Sequence, residues 1–354
     1  MTKFARVPCL GLAVLILLAA CQSAPAAPTD EHVPAANQTG VDAPAGADIV
    51  RDATDLPGPI APRDPTTVRF TLTATEVVGQ LAEGTTYTYM TFDGKVPGPF
   101  LRARVGDTIE ITLKNNTTSA LPHSIDLHAV TGPGGGAVYT QVTPGQEKVF
   151  TFKALSPGLY VYHCATASIP HHMGSGMYGM ILIEPEEGLP KVDREFYVMQ
   201  GEIYSSLPFG SKGALTFDGK KMSNETPDYF VFNGAVGSLG LASDKYSLKA
   251  KTGETIRIFF GIGGPNFTSS FHVIGEIFDR VYPFASLTSA PLTDVQTIST
   301  PPGGATVVEF KVDVPGTYLL VDHALRRLER GLIGYLVVEG PDNPDIIHEG
   351  PATK

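Results

Sequence analysis

The chain repeats itself, and the repeat limits what it can fold into. Phe92-Asp93-Gly94 returns as Phe232-Asn233-Gly234, and the stretch 102–116 (RARVGDTIEITLKNN) returns as 248–262 (LKAKTGETIRIFFGI). The stretch 156–165 (SPGLYVYHCA) returns as 314–324 (VPGTYLLVDHA), and 175–185 (SGMYGMILIEP) as 330–340 (RGLIGYLVVEG). Order and spacing are kept. Each copy carries short runs of alternating apolar residues, such as VRFTLTATEVV at 68–78, broken by Gly/Pro turns. That period of two predicts strands with one buried face. No long amphipathic helical pattern competes. Two copies of one Greek-key β-sandwich is the simplest all-β reading. The 354 residues suit two such domains, and 38 glycines and 29 prolines supply the turns. We place the domains at 61–187 and 188–343, joined near Pro185 to Asp193, with 344–354 as a tail.

The N-terminus reads as an export signal. Lys3 and Arg6 precede an apolar run from Leu10 to Ala20, too short to span a bilayer as a stable helix. It ends Leu18-Ala19-Ala20-Cys21, which resembles the bacterial lipobox. Cleavage there removes residues 1–20 and leaves Cys21 as a lipidated N-terminus. Acyl chains then anchor by hydrocarbon burial, at roughly 0.8 kcal/mol per methylene. Residues 21–60, rich in Ala, Pro, Thr and Gly, are expected to be a flexible tether. Of three cysteines, only Cys164 lies in the body of the protein, so there is no disulfide framework. A net charge of −10 leaves no basic patch for nucleic acid.

The first repeat holds His123, His128, His163, Cys164, the pair His171-His172, and Met177. Thiolate, thioether and imidazole together form a copper-type donor set. Two His, one Cys and a weak axial Met make a blue-copper electron-transfer site, as in cupredoxins. His123 comes from an earlier strand. Cys164, one histidine of the pair and Met177 share one loop between two strands. Alternation along a strand turns neighbours to opposite faces, so Cys164 can point into its domain while His163 points out. By the same rule Asp126 and His128 can share a side. A second set, His128 and His163, is thereby directed away from the first, with adjacent His163 and Cys164 as a short covalent path between them.

The second repeat has lost the blue-copper donors. Asp322 stands near the position of Cys164 and Leu332 at that of Met177. It keeps His272 and His323. A catalytic metal typically takes three protein ligands and an open position, a rule best documented for zinc. His128 and His163 are two, and His323 would be the third.

LPHSIDLHA, YVYHCATA, HHMGSGMYG, SSFHVIG and LLVDHALRRLERG occur in order over roughly residues 65–340. The chain resembles the copper-containing nitrite reductases, and within them the lipid-anchored outer-membrane subgroup. The resemblance implies two cupredoxin-like domains in a homotrimer with two coppers per chain. It implies His123, Cys164, His172 and Met177 as type 1 ligands, choosing His172 over His171. It implies His128, His163 and His323 as type 2 ligands, with His323 donated by the adjacent subunit. Asp126 and His272 are then the acid/base residues, and Ile274 the apolar residue that limits how a ligand sits. The implied reaction is nitrite plus two protons plus one electron giving nitric oxide and water. The electron would come from a periplasmic cytochrome c or small cupredoxin, and the protein would be held at the outer membrane, on its periplasmic side or at the cell surface. A multicopper oxidase would need paired His-x-His motifs and a histidine on each side of the cysteine; here the run is His163-Cys164-Ala165. A plain electron carrier would leave His128, His163, Asp126, His272 and His323 without a shared purpose.

Overall fold

The computed structural model describes residues 45–240 and 246–350. The signal peptide, Cys21 and the first part of the expected tether lie outside the described residues. The first half forms β1 (Thr67–Ala82), β2 (Thr85–Phe92), β3 (Leu101–Arg104), β4 (Thr108–Asn115), β5 (Asp126–Leu127), β6 (Glu147–Lys153), β7 (Gly158–His163) and β8 (Tyr178–Glu184). The second half forms β9 (Arg194–Ile203), β10 (Gly213–Leu215), β11 (Tyr229–Phe232), β12 (Leu248–Lys251), β13 (Thr255–Gly264), β14 (Ser269–Ile274), β15 (Arg280–Tyr282), β16 (Ile298–Thr300), β17 (Ala305–Lys311), β18 (Gly316–Asp322) and β19 (Gly334–Glu339).

The strands form two sandwiches of two sheets each, and β10 crosses from the second half of the chain to join the first. The first pairs β10-β2-β1-β4-β6 with β3-β8-β7-β5, and the second pairs β11-β9-β13-β17-β15 with β12-β19-β18-β14-β16. The repeat in the sequence is a repeat in topology. β1 runs parallel to β4 as β9 runs parallel to β13, and β3 parallel to β8 as β12 to β19. The two Phe-x-Gly motifs are matching turns: Asp93 and Gly94, then Asn233 and Gly234, all have positive φ. Asn, Asp and Gly are the residues that tolerate that conformation.

Three apolar layers hold the molecule together. One fills the first sandwich (Leu72, Ile111, Cys164, Met177, Ile181), one fills the second (Phe196, Ile258, Phe271, Leu336), and one lies between the domains (Tyr89, Val161, Tyr178, Met180, Tyr197, Phe259). Strands facing two layers carry apolar residues on both faces, as strands buried on both faces must. In β8, Ile181 and Ile183 enter the first core while Met180 and Leu182 enter the interdomain layer. In β7, Tyr162 enters the first core and Leu159 and Val161 the interdomain layer.

A buried ionic chain also crosses the domain boundary. Arg102 meets Glu184 at 2.5 Å and Glu195 at 2.7 Å, and Arg257 meets Glu195 at 2.7 Å and Glu309 at 2.5 Å.

The structure corrects the extent of the tether. Residues 45–60 are not free. Ile49 is fully buried, Ala47 bridges Gly79, and Val50 bridges Val96. Arg51 donates to the Pro97 carbonyl at 2.8 Å, and Ala53 enters the second core while accepting from Tyr197 N at 2.8 Å. The Ala/Pro-rich composition masked the short apolar run Ile49-Val50, which is enough to seat this segment against both domains.

Candidate metal centres

The first group of donors lies inside the first sandwich. His123 is held by two backbone bonds to Val142, at 2.9 and 2.8 Å. Cys164 follows the last residue of β7, and His172 sits on a short helix, α1 (Ile169–Gly174), in the loop between β7 and β8. Cys164 Sγ lies 3.2 Å from His172 Nδ1 and 3.8 Å from His123 Nδ1, and the two Nδ1 atoms are 3.2 Å apart. Atoms sharing one metal at bond lengths of about 2.0–2.3 Å stand at such separations. Met177 is fully buried, and the loop is closed by Cys164 N to Met177 O and Met177 N to His172 O, both 3.1 Å. His171 turns elsewhere and stacks on Phe217 with ring centroids 4.0 Å apart. Burial, then the His123 ring, push His172 down to about 4, so its ring is neutral and its Nδ1 lone pair is available near neutral pH. Burial pushes the Cys164 thiol up, so a metal must displace a proton to bind there.

The sequence reading missed a residue at this centre. Glu76 on β1 faces His123 Nε2 at 3.0 Å and also accepts from the backbone N–H groups of Ala120 and Leu121, at 2.8 and 3.3 Å. It fixes the ring so that Nδ1 faces Cys164. An acidic residue in an alternating strand ordinarily reads as a solvent-facing position, so only its nearness in space reveals the role.

The second group lies on the opposite side of β7. His163 Nε2 is 3.2 Å from His128 Nε2 and 4.0 Å from Asp126 Oδ2. Cross-strand pairing of Asp126 with His163 sets this geometry. His163 Nδ1 donates to the Cys164 carbonyl at 2.9 Å, which leaves Nε2 as the free ligand atom. Gly303, from the turn before β17 in the second domain, lies against the His128 ring: a Cβ there would stand 3.3 Å from its Cε1. This group holds two histidines and one carboxylate, and His128 is exposed.

His272 and His323 belong to neither group among the described residues. They form their own pair on the second domain, with ring centroids 5.7 Å apart. His272 Nδ1 donates to the Gln296 carbonyl at 2.6 Å, which leaves Nε2 free. His323 is exposed, and its flanks are fixed by a buried carboxylate. Asp322 accepts from Ser270 N and Ala324 N, both at 3.0 Å, and pairs with Arg327. Ile274, two residues beyond His272 on β14 and 41% exposed, shares its face.

A two-domain cupredoxin-type protein with a buried Cys/His/His centre and a second, histidine-based centre beside it is the class that fold and site define. Residues 73–188 match the family profile described as multicopper oxidase. The copper-containing nitrite reductase of Neisseria gonorrhoeae is 47% identical over 352 residues, covering 95% of this chain and 88% of that protein. That of Alcaligenes xylosoxydans xylosoxydans is 37% identical over 284 residues, covering 75% and 84%. The solved copper nitrite reductase from Nitrosomonas europaea superposes with a TM-score of 0.69 at 35% identity, over 79% of this chain and 96% of its own. The chain belongs to the copper-containing nitrite reductases.

Proposed function

We propose that this protein reduces nitrite to nitric oxide, taking up two protons and one electron and releasing water, with two coppers per chain. His123, Cys164, His172 and Met177 would hold the type 1 copper. His128 and His163, with His323 of an adjacent copy in a homotrimer, would hold the type 2 copper. One observation carries the reading: His163, the last residue of β7, and its neighbour Cys164 belong to different donor groups. An electron received at the buried group therefore has a path of a few covalent bonds to the exposed one, shortened by the His163 Nδ1 bond to the Cys164 carbonyl.

Both half-sites are incomplete and open in the single chain, and this supports assembly between copies. The first domain offers Asp126, His128 and His163; the second offers His272, Ile274 and His323. Copper at the joined site supplies Lewis acidity and the electron. The residues do the rest. Asp126, with Oδ2 toward His163 Nε2, hydrogen-bonds nitrite and hands a proton to the departing oxygen. His272, oriented by Gln296, relays the second proton. Ile274 presents an apolar wall that restricts how nitrite sits. A periplasmic cytochrome c or small cupredoxin supplies the electron, and lipidated Cys21 holds the protein at the outer membrane. The lipobox-like Leu18-Ala19-Ala20-Cys21 supports the anchor.

Asp126→Asn tests the proton role. It is expected to keep wild-type copper content and colour while anaerobic nitric oxide release falls by about 10²–10⁴-fold, the usual weight of a positioned acid. Wild-type turnover in this variant removes Asp126 from the reaction.

A further inference from the structure

We infer that Gly135 is a positioning residue for Asp126: its missing side chain is the seat of the Asp126 carboxylate. The inference rests on the acid role proposed above for Asp126 and adds to it the element that aims the group.

The segment Gly132-Pro133-Gly134-Gly135-Gly136 wraps over β5. A Cβ at Gly135 would lie 1.7 Å from Asp126 Oδ1 and 2.7 Å from its Cγ. No side chain fits there, so the bare Cα of Gly135 covers Oδ1. The other oxygen, Oδ2, is the one turned to His163 Nε2 at 4.0 Å. Backbone contact on one oxygen thus selects which oxygen faces the metal ligands. The loop cannot simply retreat to admit a methyl group. Thr140, at its far end, accepts from Ile125 N at 3.1 Å and its hydroxyl reaches Ile125 O and Gly136 O at 3.3 and 3.1 Å. Val142 then pairs through its backbone with His123. The segment is therefore fastened on the N-terminal side of Asp126 at two points. A methyl group at position 135 must push the carboxylate instead, and a displacement of about 1 Å at a reacting group costs on the order of 100-fold in rate.

Gly134 is the matched control. Its φ of +68° resembles the +52° of Gly135, so alanine at either position pays a left-handed penalty. A Cβ at Gly134 meets only Val138 Cγ1, at 3.1 Å, and Val138 is 63% exposed and free to turn.

The experiment compares Gly135→Ala, Gly134→Ala, Asp126→Asn, Asp126→Ala and the double variant Asp126→Ala/Gly135→Ala as copper-loaded full-length proteins. The readouts are copper per chain, unfolding midpoint, and kcat and KM for nitrite. Gly135→Ala is expected to lower kcat by about 10–100-fold at wild-type copper content, while Gly134→Ala stays within about twofold of wild type. Any loss of unfolding midpoint in Gly135→Ala beyond that of Gly134→Ala should shrink sharply in the Asp126→Ala background, where only the Leu127 carbonyl oxygen, 3.2 Å from the added Cβ, is still met. The kcat of the double variant should equal that of Asp126→Ala alone. If Asp126→Asn is impaired but Gly135→Ala matches Gly134→Ala, the positioning role is overturned and the acid role stands. If Gly135→Ala is equally damaging in the Asp126→Ala background, its effect does not pass through the carboxylate and the inference is also overturned. Wild-type rates in Asp126→Asn overturn the acid role and the inference with it.

Discussion

His123 is aimed by what holds its far nitrogen, and that group is Glu76, 3.0 Å from Nε2. A carboxylate there favours the more positive oxidation state of a metal bound at Nδ1. Glu76→Gln should keep the coloured centre and raise its midpoint potential by about 60 mV, a tenfold change in a one-electron equilibrium. A redox titration followed on the visible band checks this, and an unchanged potential rules the carboxylate out. At this scale the sequence was informative wherever rare donor types clustered: the fold brings His123, Cys164 and His172 into one group and His163 into another. It was silent where the partner is distant. Glu76 and Gly303 are ordinary residues that become meaningful only once the fold brings them to a histidine.

Strand register shows how one element was used twice. Asp126 pairs with His163 across β5 and β7, while His272 pairs with Val321 across β14 and β18. Gly158 and Gly316 occupy matching registers against β8 and β19, so His163 corresponds to Val321 and Asp126 corresponds to His272. The two proposed acid/base residues are thus equivalent positions of the repeat. The same register places Asp322 at the position of Cys164, where it is buried and paired with Arg327. The duplicated segments were plain in the sequence because their strands alternate so regularly. The seating of residues 45–60 was not, because two apolar residues in an Ala/Pro-rich stretch carry little periodic signal. Ile49→Ala should therefore lower stability by about 2–5 kcal/mol, the range for a buried aliphatic truncation, read as a fall in denaturant midpoint; no change would mean the segment is only loosely laid on the surface. A pH effect belongs to the turn after β14. Burial, then Asp279 and Asp313, push Glu276 up to about 7. With a folded value above the unfolded one, the folded state binds the extra proton between about pH 4.5 and 7, so stability falls as pH rises through that window. Glu276→Gln should raise the unfolding midpoint at pH 8 and leave it nearly unchanged at pH 4. Equal effects at both would place the cause elsewhere.

Across the whole molecule, two sandwiches share an interdomain apolar layer and a buried ionic chain, and each carries a histidine pair, His128–His163 on the first and His272–His323 on the second. Removing one member of the chain from Glu184 through Arg102, Glu195 and Arg257 to Glu309 would strand a buried charge, so the pairing fixes how the domains meet. In the proposed assembly, that fixed relation would hold the pairs His128–His163 and His272–His323 as preformed halves of one site. The most direct test is to count copper per chain in the wild-type protein and in His323→Ala while recording nitric oxide under anaerobic conditions with nitrite and a reduced donor. The account predicts two coppers per chain and rapid release for the wild type, and one copper, full colour and almost no release for His323→Ala. Two coppers per chain and undiminished nitric oxide in His323→Ala would contradict it.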